Sequence, residues 1–490
     1  MSPSPTLTAT PRFPARPRSP RLALALLLSL GLAACAQLPT SSAPRASLNN
    51  PETLGSQTLA GSTAGSWPAD RWWARYQDAQ LDQLIDEALR DAPDMASAAA
   101  RLRQAEASTQ VSGAALQPRL DAKASATSQK QSYNYLTPRS MTPEGWNDYG
   151  RATLDFSWEL DFWGKNRAAL AAATSEQDAR RADLAQARLT LTSAVASAYA
   201  ELTRLYAARE AAERSLEVRT RTATLMHDRE AHGLETRGSS RAADARQASA
   251  AGDLAELDES IGLQRQRIAA LIGAGPDRAT RITRPSVLLG QAPALPATLP
   301  AELLGRRPDL VAARLQAEAE AQRIQQKTAE FYPDVNLSAF VGLQSLGLDL
   351  LRKSGSEVGS VGPAISLPIF NGGRLRGELR ASEAAYDLAV ASYNQTLTRA
   401  LQEVADALLS QRALEQRLTR AEEAYQAAGE AYRITHQRYT GGLASYLEVL
   451  SAEDTLLASI RSLTDLQSRA FTLDVALVRA LGGGYQQPRG

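Results

Sequence analysis

Apolar and polar residues alternate most sharply in residues 152–162. Ala, Leu, Phe, Trp, Leu and Phe occupy the even positions of this segment, and Thr, Asp, Ser, Glu and Asp occupy the odd ones. A period of two predicts a β-strand with one apolar and one polar face, long enough to cross a bilayer when tilted. Residues 335–344 alternate similarly, and weaker strands are predicted at 119–135 and 358–370. The alternation alone leaves open a soluble antiparallel sheet that is half-buried.

Two long stretches lack the residues that break helices. Residues 165–232 contain neither Gly nor Pro, and residues 374–440 contain no Pro and only Gly377 and Gly429. At about 1.5 Å per residue each stretch predicts roughly 100 Å of helix. Apolar residues in the first stretch follow one another at gaps of four and three, as in a coiled-coil seam: Leu191, Val195, Ala198, Leu202 and Leu205. Shorter helices are predicted at 81–115 and 308–330, each ending shortly before a proline.

The chain repeats itself. Pro93-Asp94 reappears 215 residues later as Pro308-Asp309, and Pro118 reappears as Pro333 at the same offset. Three further landmarks recur at an offset of 209: Gly164 as Gly373, Gly233 as Gly442, and Gly273 as Gly482. Each repeat therefore predicts a short helix, two strands, a long helix, a glycine-bearing break and a second helix. Repeat one covers 67–276 and repeat two covers 299–483, with a linker at 277–298 and a tail at 484–490.

The predicted fold is mixed α+β with an internal tandem repeat. Four strands cannot close around a lumen, and an open sheet edge cannot face lipid. Three copies would supply twelve strands, so we expect a homotrimer with a twelve-stranded membrane β-barrel continuous with a long α-helical barrel. Lys and Arg balance Asp and Glu to a net charge of +1, which gives no basic footprint for nucleic acid. Beyond the N-terminal region no apolar run approaches the length of a membrane helix.

The N-terminal region carries a signal. Four arginines precede an apolar stretch at 22–32, which ends in Leu-Ala-Ala-Cys35. This ending resembles the lipobox of bacterial lipoproteins, and the resemblance implies cleavage after residue 34 and S-diacylglycerol and N-acyl groups on Cys35. Ala36 follows where an aspartate would retain a lipoprotein at the inner membrane, so the outer membrane is expected. An ordinary secretory signal is the alternative. Residues 35–66 are rich in Ser, Thr, Ala, Gly and Pro and predict a flexible tether.

Several segments, in order, resemble one family. Residues 157–165 read Ser-Trp-Glu-Leu-Asp-Phe-Trp-Gly-Lys, 303–309 read Leu-Leu-Gly-Arg-Arg-Pro-Asp, and 438–443 read Arg-Tyr-Thr-Gly-Gly-Leu. These segments are similar to those of the outer membrane factor lipoproteins of the NodT/OprM type, related to TolC. The resemblance implies the gated exit channel of a tripartite efflux pump, which passively exports drugs or small toxic molecules. Its implied partners are a periplasmic adaptor protein, an inner-membrane pump of the RND or MFS type, and outer-membrane lipid.

The candidate site residues cluster at the helix breaks. Glycines there permit positive φ and a tight return of the chain. The resemblance implies that the breaks dock the adaptor through Arg229, Gly233, Gly238, Arg438, Gly441 and Gly442. It also implies a periplasmic gate at Leu447, Glu448 and Ser451. Relatives often carry aspartate where Ser451 stands, so Glu448, Glu453 and Asp454 are the candidates for an acidic ring. Gly164, Gly372 and Gly373 mark the strand-to-helix junctions.

No catalytic motif, metal-ligand spacing or cofactor loop is visible, so the sequence predicts a protein that is not an enzyme and carries no cofactor apart from the lipid. His227, His232 and His436 are expected as solvated residues near the breaks. Arg306 and Arg307 are expected at a helix start, held by carboxylates. Two other functions remain open, a TolC-like protein-secretion duct and a structural coiled-coil lipoprotein without a channel.

Overall fold

A computed structural model describes residues 46–54, 66–287 and 299–487. The chain divides into two units. The sheet unit comprises Ala115–Ala168 and Ile324–Ser382, and the helical unit comprises Ala46–Ala114, Ala169–Arg323 and Glu383–Gly490. The signal, Cys35 and most of the predicted tether lie outside the described residues, as do parts of the predicted linker and tail.

The sheet unit contains four antiparallel strands in the order β1-β2-β3-β4. The strands are β1 Arg119–Gln129, β2 Asn147–Glu159, β3 Asp334–Leu346 and β4 Glu357–Ser366. The register places Asp155 of β2 between Asp121 of β1 and Phe340 of β3, and Phe340 opposite Ser360 of β4. Strands from the two repeats therefore join at the β2–β3 pair.

All four predicted strands are present, but their predicted ends were partly wrong. β1 ends at Gln129, and β2 begins at Asn147 and ends at Glu159. The Leu160 N–H still donates to the Val335 carbonyl of β3 at 2.8 Å, but the Phe162 N–H donates back to the Leu160 carbonyl at 2.9 Å and turns the chain away from β3. β4 ends at Ser366, two residues before Pro368, which has no N–H with which to continue a strand ladder.

The helices follow the predicted repeat closely. α3 Lys165–Ala231 and α8 Arg374–Thr440 have 67 residues each, and α4 Arg237–Leu271 and α9 Tyr446–Ala480 have 35 each. The other helices are α1 Ala79–Asp91, α2 Pro93–Ala114, α5 Pro276–Ala279, α6 Leu299–Arg306 and α7 Pro308–Ala329. The matched lengths are those that a tandem repeat predicts.

The prediction of one helix at 81–115 was wrong, because two helices meet there. Ala92 separates α1 from α2 and adopts extended angles, with φ −68° and ψ 131°. The proline ring of Pro93 disfavours helical angles in the residue before it, whereas Pro93 itself suits the first turn of a new helix. Pro308 begins α7 in the same way, directly after α6 and Arg307.

The core of the helical unit includes the predicted seam. Leu191, Val195, Ala198, Leu202 and Leu205 of α3 are all buried, in one cluster with Tyr76, Ile268 and Phe471. Asp78 caps α1 by accepting from the N–H groups of Gln80 and Leu81, and it also accepts from the Tyr199 hydroxyl at 2.9 Å. The buried carboxylate thereby joins the start of α1 to the middle of α3. None of the described helices has a stretch long and apolar enough to cross a bilayer.

Candidate functional site

One face of the sheet is apolar and exposed. Strand alternation places aliphatic and aromatic side chains there from all four strands, among them Leu120, Leu154, Trp158, Val341, Val361 and Ile365. Leu120 is 66% exposed, Val361 77% and Ile365 70%. A water-soluble sheet covers such a face with other elements, whereas a sheet that faces lipid leaves it open. The outer edges of β1 and β4 pair with no other described strand.

The opposite face of the sheet is polar, and its charges are unevenly placed. Arg119 pairs with Asp121 at 2.7 Å and Lys123 with Asp155 at 3.7 Å, all on β1 and β2. Residues 336–344 of β3 and 358–366 of β4 contain no charged residue. The polar face is therefore ionic along repeat one and, apart from Asp334 at the start of β3, neutral along repeat two.

The strand-to-helix junctions are where the sequence predicted them. Gly164 has φ +79° directly before α3, and Gly372 and Gly373 have φ +61° and +89° directly before α8. Beside the first junction, Lys165 binds Glu159 and also Asp334, the latter at 3.0 Å. The glycines permit left-handed backbone that other residues rarely adopt, so the chain can change direction directly before each helix begins.

The helix breaks form two closely similar turns, which we call the tip turns, residues 231–237 and 440–446. In the first, the N–H of Gly233 donates to the Glu230 carbonyl and the N–H of Leu234 to the Arg229 carbonyl. In the second, Gly442 and Leu443 donate to Tyr439 and Arg438 in the same pattern. This pair of hydrogen bonds defines a Schellman motif. Its left-handed position is occupied by glycine in both turns, with φ +72° in the first and +75° in the second.

The tip turns are held together by a tyrosine. The hydroxyl of Tyr439, on α8, donates to a Glu235 carboxylate oxygen at 2.8 Å, and the guanidinium of Arg229 lies 4.6 Å from the centre of its ring. The Tyr439 side chain is buried with Met226, Ala243 and Val449. Burial and the hydrogen bond to Glu235 raise the pKa of the Tyr439 hydroxyl, so it remains a donor at neutral pH. The tips of the two repeats thus form a single packed end of the helical unit.

A groove of about 790 Å³ lies beside the tip turns, between α4, α8 and α9. Leu447, Ser451, Asp454 and Arg246 line it, together with small residues of α8 such as Ala421. Leu447 is 74% exposed. The structure therefore brings two of the three predicted gate residues, Leu447 and Ser451, into one open groove.

Asp454 is the acidic group of this groove. Its carboxylate lies 3.5 Å from the Arg219 guanidinium of α3 and 3.4 Å from the Arg246 guanidinium of α4. Glu453 points elsewhere: it is 1% exposed, accepts from the Thr222 hydroxyl at 2.9 Å, and its burial raises its pKa. Glu453 is therefore wrong as a candidate for an acidic ring at the gate, because its carboxyl is buried between helices.

With this geometry in place, the chain can be compared with known proteins. The family model described as outer membrane efflux protein matches residues 84–274 and 299–483. The chain belongs to this family. It is 32% identical over 462 residues to the multidrug resistance outer membrane protein MdtP of Escherichia coli O6:H1, an alignment that covers 93% of this chain and 94% of MdtP.

Two solved structures have the same fold as this outer membrane efflux protein. The outer membrane protein VceC of Vibrio cholerae has a TM-score of 0.82 and 50% identity, over 86% of this chain and 100% of VceC. The outer-membrane channel OprN has a TM-score of 0.81 and 29% identity, over 91% of this chain and 98% of OprN. The family, the relative and the two structures identify the protein as an outer-membrane efflux channel.

The predicted tip residues of this efflux protein differ in their conformations. Gly233 and Gly442 have positive φ, whereas Gly238 lies in the first turn of α4 and Gly441 precedes the left-handed position. Positive φ is thus the reason for glycine at only two of the four positions. Arg438 donates to the Leu443 carbonyl at 3.2 Å across its own turn.

The remaining predicted residues have structural partners. Glu448 completes a capping box, because its carboxylate accepts from the Ser445 N–H while the Ser445 hydroxyl accepts from the Glu448 N–H. His227 bonds to Asp244 at 2.7 Å, and His227 and His232 are exposed, as expected for solvated residues. Arg307 is held by Asp309 at 2.6 Å and Glu403 at 2.9 Å, which confirms the expectation for that arginine.

Sequence reasoning missed Tyr439 and the bridge from Asp454 to Arg219 and Arg246. Tyr439 lies within the segment 438–443, in which only Arg438 and the two glycines were predicted to have roles, and a lone tyrosine near a helix end has no distinctive pattern. The bridge joins residues of both repeats, which single-chain periodicity does not bring together. The one sequence feature that pointed to this bridge was the acidic residue Asp454, close to the predicted gate.

Proposed function

We propose that this outer-membrane protein is the exit channel of a tripartite efflux pump, which passively conducts drugs or small toxic molecules from the periplasm and an inner-membrane pump to the exterior. In this proposal three copies associate, with the outer edge of β4 in one copy pairing with β1 of the next. The twelve strands then close a β-barrel that continues into a helical barrel in the periplasm. The exposed apolar face of the sheet is the observation that carries the proposal, because closure would turn that face to lipid.

The tip turns are the proposed docking site for the hairpin of a periplasmic adaptor, which links the channel to a pump of the RND or MFS type. Two features support this assignment. Gly233 and Gly442 have open space around them, and the next residues, Leu234 and Leu443, are 63% and 73% exposed. Exposed leucines on a rigid, well-packed turn suit a protein partner.

The groove at Leu447 and Ser451 is the proposed gate. Outward movement of α9 and α8 would open the lumen, and adaptor docking would shift the population toward the open form. The bridge from Asp454 to Arg219 and Arg246 supports this proposal, because it joins α9 to the repeat-one helices at the level of the groove. Crosslinking a Leu447→Cys variant between subunits, in a background without Cys35, should abolish transport. Undiminished transport after complete crosslinking would rule out this gate.

The lipid on Cys35 is the proposed anchor in the outer membrane. A buried acyl chain contributes about 0.8 kcal/mol per methylene, so several chains hold a protein at the bilayer without any spanning helix. A Cys35→Ser variant should lose the acyl mass and keep its trimeric mass. A changed assembly state would contradict a purely anchoring role.

The decisive experiment is conductance of the purified mature protein in planar bilayers, together with its mass in detergent. A trimer that opens in discrete and rare steps would support a gated channel. A trimer that never conducts, even with Leu447 and Ser451 replaced by glycine, would instead support a structural lipoprotein. Cells without the protein should accumulate small drugs, and loss of a secreted protein without drug accumulation would favour a TolC-like secretion duct.

A further inference from the structure

The polar face of the sheet carries one arginine whose environment differs from that of the other cations there. Arg119 and Lys123 have carboxylate partners, Asp121 and Asp155. Arg151, in the middle of β2, has no carboxylate within ion-pair distance among the described residues. Its guanidinium instead lies 5.2 Å from the centre of the Phe340 ring. A half-buried guanidinium that stacks on a ring keeps its planar N–H donors available for an anion.

The neighbours of Arg151 are also uncommitted. The register places Ser125 opposite Arg151 on β1 and Gln344 opposite it on β3, so all three side chains share the polar face. Neither the Ser125 hydroxyl nor the Gln344 carboxamide has a hydrogen bond to a described residue. The Arg151 guanidinium therefore lies beside an aromatic ring, and the two residues opposite Arg151 add a hydroxyl and a carboxamide to the same face. The nearest acid on the same face of β2, Asp155, is engaged by Lys123 and by the Thr153 hydroxyl.

From this arrangement we propose a weak binding site for aromatic anions, centred on Arg151 and Phe340. A carboxylate would accept from the guanidinium, while the attached ring would stack beside Phe340. The inference rests on the proposed channel, in which the polar face lines the lumen and three such sites lie at one level. Planar aromatic acids are therefore the substrate class that the channel would bind during passage.

Benzoate is a suitable probe, with acetate as the anion that lacks a ring and benzamide as the ring that lacks a charge. The first measurement is block of single-channel conductance in protein that carries Leu447→Gly and Ser451→Gly. Benzoate should reduce conductance at concentrations about fivefold lower than either control compound, since charge and ring contribute together. Arg151→Gln should remove this preference, and Arg151→Lys should weaken it because the planar fork is lost.

Arg119→Gln is the matched control, because it removes one positive charge from the same face at an arginine that has a partner. Phe340→Leu should bring benzoate to the level of acetate. Equal effects of Arg119→Gln and Arg151→Gln would overturn the site, since block would then reflect the general field of the lumen. Equal block by benzoate and acetate in the parent channel would overturn it as well.

The second measurement does not require conduction. Saturation-transfer NMR of benzoate with the detergent-solubilised protein should show binding that is lost in Arg151→Gln and kept in Arg119→Gln. Protein that binds benzoate in this pattern and never conducts would contradict the channel but keep the site. Protein that conducts and shows no Arg151-dependent binding would keep the channel and contradict the site.

Discussion

The helices α4 and α9 each lie between two Schellman turns, and the two ends of the helices have very different surroundings. At the tips, Gly233 and Gly442 have no atom within 4 Å of the place where a Cβ would be. At the opposite ends, Gly273 and Gly482 have nearly the same φ values, +76° and +85°, and the same hydrogen-bond pattern. A Cβ on Gly482 would lie 2.0 Å from the Arg306 carbonyl oxygen, and one on Gly273 would lie 2.8 Å from that of Asp91.

The same local backbone therefore serves two purposes. At the crowded ends glycine is needed twice, for its left-handed angles and for the close approach of another helix end. At the tips it is needed only for the angles, and the space around it stays free. The crowded ends hold the helical unit together, whereas the tips have a rigid backbone with an open surface. The open surface is where a partner has room to dock.

The largest effect is expected for Gly482→Ala. The new methyl group would clash with the Arg306 carbonyl, and the alanine would have to adopt left-handed backbone angles. We therefore expect a loss of about 3 kcal/mol in the free energy of unfolding. In Gly442→Ala the left-handed backbone angles are the only source of strain, so the free energy of unfolding should fall by about 1 kcal/mol. Thermal denaturation of the two variants in detergent compares them directly. Equal losses would show that the crowding at the Arg306 end relaxes without cost.

A second large effect is expected for Arg307→Met at the same crowded end. The guanidinium is buried and binds Asp309, Glu403 and the Ala480 carbonyl at the end of α9. Its loss removes one buried cationic donor from two partly exposed carboxylates and from a carbonyl, and we expect about 2 kcal/mol of destabilisation. Denaturant unfolding measures the loss.

Arg399→Met is the matched control for this prediction, because exposed Arg399 binds the same Glu403 at 3.3 Å. An exposed pair of this kind contributes about 0.5 kcal/mol or less. If Arg399→Met were as destabilising as Arg307→Met, burial of Arg307 would not be the reason for its effect.

The sequence predicted the fold well where the pattern is local or repeated. Alternation in 152–162 and the glycine-free run at 165–232 are properties of neighbouring residues, and the landmark offsets predicted the matched helix lengths. The break at Ala92 was missed, although Pro93 was visible, because residues that favour helix continue on both sides of it. The crowding around Gly482 was beyond reach, because it depends on which distant carbonyl, that of Arg306, approaches the turn.

The candidate site was predictable to a similar extent. The turn glycines Gly233 and Gly442 follow from local chain chemistry, and they have the expected conformation. Glu453 and Asp454 are adjacent in sequence and equally acidic, yet one is buried against Thr222 and the other lines the groove. The two residues differ only in the direction that each side chain takes from the packed helix α9, and the amino-acid composition does not predict that direction.

A smaller effect is expected at the tips for Tyr439→Phe. The change removes the hydrogen bond to Glu235 from a buried side chain and should cost about 1 kcal/mol. Because this bond joins the two tip turns, hydrogen exchange should quicken in 231–237 and 440–446 while α1 and α6 are unaffected. The matched control is Tyr446→Phe, since the buried Tyr446 hydroxyl has no hydrogen-bond partner among the described residues. Faster exchange in both variants would mean that packing of the ring, and not the bond, joins the turns.

The smallest effect is expected for Glu448→Gln, and it should depend on pH. Hydrogen bonds from the N–H and hydroxyl of Ser445 lower the pKa of the Glu448 carboxyl from its usual 4.5. A depressed pKa means that the carboxylate contributes stability above its unfolded-state pKa, and that this contribution is lost as pH falls through the folded-state value. The difference in thermal midpoint between the parent protein and Glu448→Gln should therefore be present at neutral pH and vanish below the usual pKa of a glutamate.

Repeat one provides the control for that prediction. Thr236 caps α4 by accepting from the Ser239 N–H, and Ser239 holds the position that Glu448 holds in repeat two. A serine does not titrate, so the effect of Ser239→Ala should be flat over the same pH range. If both variants showed the same pH profile, the capping box would not be its source. Distinct profiles would show that the two tip turns, alike in backbone, differ in how they respond to acid.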